Sequence, residues 1–344
     1  MPEPDALCVR AVALAEVRAG DDLAALLLAG CGELLDGDVL VVSSKVVSKA
    51  LGLTADVGER DAVVAAQSVR VVAERRTPRG LAQVVESVAG PVMAAAGVDA
   101  SNTAAGTVLL LPADADAEAR TLRARLRSAG APTVAVVVSD TAGRPWRTGQ
   151  TDFALGAAGL RVVDDLRGSL DAGGQPLEVT ERAVVDELAA AADLVKGKAA
   201  GTPAAVVRGF GSFVTDEDGP GASILLRDRG SDWFRYGHAE AARAALGVEP
   251  GVVAPPSVLP EPLQHRVERA IEVARAGAPQ DVSLAVAASD GTVRVTVRGG
   301  GFDCGRFVQR LQVALWAEDL VGRLDSLEDT GAQVVAAVVA ANRG

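Results

Sequence analysis

The chain is short of the side chains that most often announce a chemistry. Aromatic residues make up 3% of it, and histidine occurs twice, at His238 and His265. With so few rings, the core must be built from Val, Leu and Ala. The two histidines stand far from the polar clusters described below, which argues against His-based acid–base catalysis. The three cysteines, Cys8, Cys31 and Cys304, are scattered and odd in number. They give no metal-ligand spacing and suit a reducing, cytoplasmic setting. No C-x-x-C, H-E-x-x-H, G-x-S-x-G or G-x-x-x-x-G-K-S/T motif occurs, so redox, zinc-protease, hydrolase-elbow and P-loop readings are excluded. No basic segment leads into an apolar signal core, and no apolar run reaches the length of a membrane span. Positive charge is also scarce. The formal net charge of −11 argues against nucleic acid or an anionic membrane as a partner.

Lysine is the rarest charged side chain. Of 34 basic residues only Lys45, Lys49, Lys196 and Lys198 are lysine. They fall in two short segments, VVSSKVVSK and DLVKGK. Guanidinium is a rigid planar fork, whereas ammonium is a compact point charge of the kind that holds phosphate. Retaining lysine in two places only, against an arginine-rich background, marks both as candidate phosphate sites.

What is plentiful is small and apolar. The hydrophobic fraction is 49% and the mean hydropathy +0.23, ample for a core in a chain of 344 residues. Short apolar runs predict buried strands at Val39–Val42, Val108–Leu111, Val134–Val138, Leu160–Val163 and Ala204–Val207. Helices are expected over Glu118–Ala129, stopped by Gly130, and over Glu181–Val195 after Thr180 as N-cap. These elements predict an α+β (mixed α/β) body over residues 1–247. A proline-rich stretch over 248–262 reads as an extended linker. Residues 263–344 read as a small α/β appendage. Its expected order is helix (Leu263–Ala276), strand (Ser283–Ala288), an Asp290–Gly291 turn, strand (Val293–Val297), helix (Phe307–Leu320) and helix (Gly331–Ala341).

The polar clusters follow strands. SDTAGRPWRTGQTD (Ser139–Asp152) comes directly after TVAVVV. Ligand groups gather beyond the carboxyl ends of strands in α/β sheets, so Asp140 and Thr141 can offer hard oxygens to a cation. Arg144 and Arg147 can hold anionic oxygens, and Gln150 can orient a polar group. Trp146 reads either as a cover for a substrate ring or as core. GVDASN (Gly97–Asn102) supplies a second carboxylate, Asp99, with Ser101 and Asn102 beside it. Alone it reads as an Asx-rich turn; with Asp140 it makes a pair suited to a divalent ion in phosphoryl transfer. Lys45 and Lys49 are four apart, on one face of a helix. Gly197 and Gly201 let backbone approach a phosphate. Asp186 and Glu187 read as a solvated helix face, and GGGFDCG near Gly300 as a turn.

Together these segments resemble the coenzyme F420-0:γ-glutamyl ligase family, in its archaeal form and as the N-terminal half of the actinobacterial two-domain enzyme. The stretches are Leu14–Leu23, Gly37–Gly52, Ala96–Asn102, Leu109–Asp116, Ser139–Leu160 and Asp186–Gly211, collinear over residues 7–245. The resemblance implies an F420 glutamyl ligase-like fold, an intertwined homodimer and a cytoplasmic enzyme. It also implies GTP-dependent addition of L-glutamate to coenzyme F420-0, then of further γ-linked glutamates, through an acyl phosphate. By the same likeness, Asp99, Asp140 and Thr141 are metal ligands, for two divalent ions, Mg²⁺ or Mn²⁺, with K⁺ beside them. Leu14, Ala15, Glu16 and Val17 form a GTP-contacting turn, and Ser44, Lys49 and Asn102 touch GTP. Asp140, Arg144 and Arg147 are the expected catalytic groups.

Three departures qualify the likeness. Ala15 stands where the family turn often has Pro. Lys198 takes the place of an acidic residue that in archaeal relatives helps hold a second metal, which suggests a side-chain charge in place of that ion. Residues 263–344 are too short for the flavin-binding reductase-like domain of the two-domain enzyme, roughly twice this size, so no flavin is expected. Two rival readings stay open: a metal-dependent ligase or kinase acting on another carboxylate, and a nucleotide- or F420-binding protein without turnover.

Overall fold

In a computed structural model, residues 6–197, 201–276, 281–289, 291–328 and 331–338 are described. The chain divides into two compact units, residues 1–69 with 86–231, and residues 70–85 with 232–344.

The first unit is built on a five-stranded sheet. Its strands are β1 (Cys8–Val12), β2 (Val39–Ser43), β3 (Ala135–Arg144), β4 (Arg147–Ala158) and β5 (Ala204–Arg208), in the spatial order β1-β5-β2-β3-β4. β2 and β3 run parallel, with Val39 opposite Ala135 and Ser43 opposite Ser139; the other pairs are antiparallel. Side chains alternate across a strand, and here both faces are covered. Leu40 and Val42 face one cluster with Leu27 of helix α1 (Leu23–Cys31) and Leu122 and Leu126 of α3 (Ala115–Ser128). Val39 and Val41 face the other, with Val185, Leu188 and Ala192 of α4 (Val184–Asp193). Burial on both sides is why these strands read as unbroken apolar runs.

Helix α2 (Ser44–Leu51) starts where β2 ends. The Ser43 hydroxyl accepts from the Lys45 amide, and Gly52 closes the helix at φ +70°. Helix α3 begins three residues before the expected Glu118, because the Asp114 carboxylate caps it through the Ala117 amide at 2.8 Å. Helix α4 starts at Val184, with Ala183 and not Thr180 at its N-cap position. Two expected strands lie outside the main sheet. Thr107–Leu109 pairs with Thr54–Asp56. Leu160 makes only an isolated bridge to Val214, although Leu160 and Val162 are buried; burial made this run apolar without a ladder.

The second unit holds α5 (His238–Ala245), α6 (Leu263–Arg275), α7 (Gly301–Trp316) and a four-stranded antiparallel sheet. The sheet order is β6-β7-β9-β8, from β6 (Ser283–Ser289), β7 (Thr292–Arg298), β8 (Leu320–Glu328) and β9 (Gly331–Val338). The expected hairpin is present, with Ser289 opposite Thr292; Asp290 itself lies outside the described residues. Three expectations are corrected. Gly331–Val338 is a strand, not a helix: Ala332, Val334 and Ala336 are buried and alternate with Gln333 and Val335. The helix expected over Phe307–Leu320 starts at Gly301 and ends at Trp316, and Leu320 opens a strand. GGGFDCG is therefore the start of a helix, with Gly300 at its N-cap position. Residues 70–85 contribute most of a hairpin made by Ser68–Thr77 and Gly80–Ser87. The proline-rich stretch is held within this unit, where Arg243 donates to the Val253 and Ala254 carbonyls and Val248 and Val253 are buried.

Candidate active site

The parallel register of β2 and β3 brings their carboxyl ends side by side, where Ser43 pairs with Ser139. Beyond these ends β2 turns into α2, and β3 continues as Asp140 and Thr141. The antiparallel partner β4 sets Asp152 opposite Thr141. A cavity of about 360 Å³ opens here, within the first unit. Three lysines, Lys45, Lys49 and Lys196, line it together with Asp140, Thr141 and Asp152.

Most of the expected residues converge on it. Leu14, Ala15, Glu16, Val17, Lys49, Asn102, Asp140 and Thr141 all line the cavity. Asn102 adopts φ +56°, a left-handed conformation that Asn tolerates. Ser44 is buried at the start of α2 and hydrogen-bonds the Asp140 carboxylate. Asp99 reaches the site through Lys45, whose Nζ lies 2.6 Å from its Oδ2 and 2.7 Å from Ser101 Oγ. The Asp99 carboxylate also accepts from the Ser101 amide at 2.7 Å and the Ser101 hydroxyl at 2.9 Å.

Other expected residues stand apart. Arg144 and Arg147 pair with each other across the β3–β4 turn and are exposed. Neither lines the cavity, so the structure does not bring them to Asp140. Trp146 sits in the same turn at φ +59° and is 78% exposed, neither core nor a cavity wall. Lys198 lies outside the described residues. Asp186, expected on a solvated face, is half-buried and accepts the Ala154 amide at 2.9 Å, while Glu187 is exposed.

The groups that sequence reasoning passed over are Asp152 and Lys196 as partners. Lys196 Nζ lies 2.6 Å from Asp152 Oδ2 and 2.7 Å from Ser139 Oγ. Both side chains of the pair are almost wholly buried, at 6% and 5% exposure. Asp152 Oδ2 also accepts the Ser139 hydroxyl at 2.9 Å, and Oδ1 accepts the Thr141 hydroxyl at 2.7 Å. The proton of Thr141 is thus committed to Asp152, which leaves the lone pairs of its oxygen for another partner. The signal in the sequence was a charged residue at the start of an otherwise apolar run, DFALGAA, in the strand opposite SDT.

Electrostatics separate the two expected carboxylate ligands. Burial pushes Asp140 up to about 6; the Thr141 amide, Lys45 and Ser44 work against this, and neighbouring Asp152 adds to it. Burial also works to raise Asp99, but the Lys45 and Ser101 contacts outweigh it and hold the group below its ordinary value. Among the described residues no three or more His, Cys, Asp or Glu side chains cluster as a metal cage. The donors on hand are two carboxylates and a hydroxyl, all hard oxygens, which would suit a divalent ion that keeps water and phosphate oxygens in its shell.

A cleft of this volume at strand ends, with converging charged groups, has the form of a small-molecule site. Likeness to known proteins places the chain in the class of ligases. The family model of F420-0:gamma-glutamyl ligase matches residues 11–209. Over 243 residues the chain is 44% identical to the coenzyme F420:L-glutamate ligase of Halobacterium salinarum, a match covering 64% of this chain and 92% of the relative. Over 240 residues it is 40% identical to the coenzyme F420:L-glutamate ligase of Methanopyrus kandleri, covering 64% and 94%. The protein of that name from Haloarcula marismortui is 41% identical over 242 residues, covering 64% and 92%. The chain belongs to the F420-0:gamma-glutamyl ligase family.

Proposed function

We propose that the protein joins L-glutamate to coenzyme F420-0 at the expense of GTP, and then adds further γ-linked glutamates. The observation that carries this reading is the lysine pair on α2. Lys45 is engaged by Asp99, whereas Lys49 lines the cavity with no acidic partner among the described residues. An unpaired ammonium facing a cavity suits a polyphosphate held as a point charge. The turn Leu14–Val17 supports the rest of the nucleotide.

Asp140, Thr141 and Asp99 fit a hard divalent ion, Mg²⁺ or Mn²⁺, which would neutralise phosphate charge when bound. The chain's own groups then position the reaction. A carboxylate oxygen of F420-0 attacks the γ-phosphorus and GDP leaves, giving an acyl phosphate. The glutamate amine attacks the acyl carbon, sheds a proton, and phosphate leaves. Lys49 and the loop at Gly201–Pro203 hold the anionic reactants in place, so much of the barrier is met by orientation and charge stabilisation. This accounts for a site without histidine, since neither displacement needs a neutral imidazole.

Mass spectrometry of F420-0 incubated with the protein, GTP, L-glutamate and Mg²⁺ or Mn²⁺ tests the reading. Products heavier by successive glutamyl units, absent without GTP or with Asp140→Asn, are expected. Unchanged F420-0 with GTP hydrolysed would point to another carboxylate acceptor. Unchanged F420-0 and unchanged GTP would point to a binding protein.

A further inference from the structure

We propose that the second unit pairs with a second copy of this chain, edge to edge through β6, so that two four-stranded sheets become one. The strand order β6-β7-β9-β8 leaves β6 and β8 at the edges, and their chemistry is opposite. β8 carries devices that discourage pairing: a bulge between Leu324 and Ser326, and the charges of Arg323, Asp325 and Glu328. β6, SLAVAAS, has no charge, no proline and no bulge against β7. Among the described residues no further strand pairs with it.

The hairpin register decides which backbone groups of β6 face out. Ser289 and Thr292 close a two-residue turn, and such a closing pair is hydrogen-bonded. Alternation then turns the backbone of Ala287, Ala285 and Ser283 toward β7, and that of Ala288, Val286 and Leu284 outward. The same three outward residues lie opposite Val293, Val295 and Val297, all buried. The apolar row of the core thus runs out to the edge, where Val286 is 44% exposed.

A second copy fits this edge by symmetry. A two-fold axis at Val286 sets Val286 opposite its counterpart, Leu284 opposite Ala288, and Ala285 opposite Ala287. Val286, Leu284 and Ala288 then form the hydrogen-bonded pairs, as their outward backbone requires, and the apolar rows of the two sheets join. Charge agrees with this register. Arg294 and Arg298 lie beside Ala287 and Ser283. Across the axis their rows continue into Thr296 and Thr292 of the other copy, so arginine does not meet arginine. β6 lies outside residues 11–209, which the family model matches. The contact is therefore separate from the dimer that the resemblance implies.

A seven-residue edge is small by the standard of stable interfaces, so covalent trapping suits it. Val286→Cys in the full chain, with exposed Cys8 changed to Ser, places two thiols across the axis. Opposite Cα atoms in such a pair lie about 5.5 Å apart, within disulfide reach. Mild oxidation should give a covalent dimer on a denaturing, non-reducing gel, and reductant should dissolve it. Leu327→Cys, on the exposed β8 edge and in the same background, should stay monomeric on that gel. No dimer from Val286→Cys, or as much from Leu327→Cys, overturns the proposal. Hydrogen exchange reads the unmodified chain. The amides of Leu284, Val286 and Ala288 should be protected in the wild type. They should lose that protection in Val286→Lys, which sets two ammoniums face to face. Equal exchange in the two proteins overturns the second copy as the occupant.

Discussion

Replacing Lys49 by Met separates nucleotide binding from folding. Lys and Met have nearly equal helix propensity, and Lys49 has no acidic partner among the described residues, so no carboxylate is left stranded. The structural loss is confined to a favourable charge in the last turn of α2, worth about 0.3–1 kcal/mol. The functional loss is larger. A hydrogen bond to a charged group contributes about 1.5–3 kcal/mol, which corresponds to roughly a 10- to 150-fold weaker Kd for GTP. Calorimetric titration with GTP and Mg²⁺, beside urea unfolding of both proteins, measures the two quantities. Lys45→Met is the contrast, since it leaves Asp99 without its ion pair and should perturb stability as well as binding. If Lys49→Met binds GTP within about twofold of wild type while folding normally, the point-charge reasoning fails.

Asp140 gives a pH dependence with a definite sign. Its carboxyl is raised to about 6, so protons compete with a cation below that pH. Affinity for Mn²⁺ should fall about tenfold per pH unit below 6 and level off above it; a flat profile between pH 5 and 7 would count against Asp140 as a ligand. Asp152→Asn leaves the buried Lys196 ammonium without its counter-charge and should cost about 3–5 kcal/mol. Denaturant unfolding would show this, with much of the loss recovered when Lys196→Met is added. At Gly156, an added Cβ would lie 2.2 Å from the backbone carbon and oxygen of Ala115, the first residue of α3. Gly156→Ala should therefore destabilise by at least about 1–3 kcal/mol, visible as a lowered Tm, and an unchanged Tm would mean that this helix start can shift freely.

How much of the protein was legible depended on which signal each residue carried. The two parallel strands of the main sheet were plain, because burial on both faces makes VLVV and VAVVV unbroken apolar runs. Leu160–Val163 carried the same signal without a ladder, since composition reports burial and not hydrogen bonding. Gly331–Val338 misled for another reason: GAQVVAAV is rich in Ala and small residues, and in so short a run the helical and extended periods are hard to tell apart. The hairpin of Ser68–Thr77 and Gly80–Ser87 escaped notice because its first arm carries four charged residues, Arg70, Glu74, Arg75 and Arg76. In the site, residues that follow strands were found because position after a strand is itself a signal. Arg144 and Arg147 share that position but lie where the hairpin has run on past the cavity. The Asp152–Lys196 pair joins residues 44 apart, and pairing at such distance has no local signature. Lysine scarcity pointed to the right segment, and the fold shows what Lys196 touches within it.

The place of β5 carries a consequence for how the chain comes to be folded. This strand, Ala204–Arg208, lies between β1 and β2, so the ladder partner of β1 among the described residues comes almost 200 residues downstream. Until that segment emerges, β1 is without its ladder partner and the apolar β2 has one open edge, both prone to wrong pairing. Closing so long a loop is slow compared with local helix formation. The segment that carries Lys196 and leads into β5 is therefore among the last of the first unit to settle. A chain stopped short of residue 196 would display open strand edges and also lack Lys196, Thr202 and Pro203 from its cavity wall, so aggregation and loss of function share one cause.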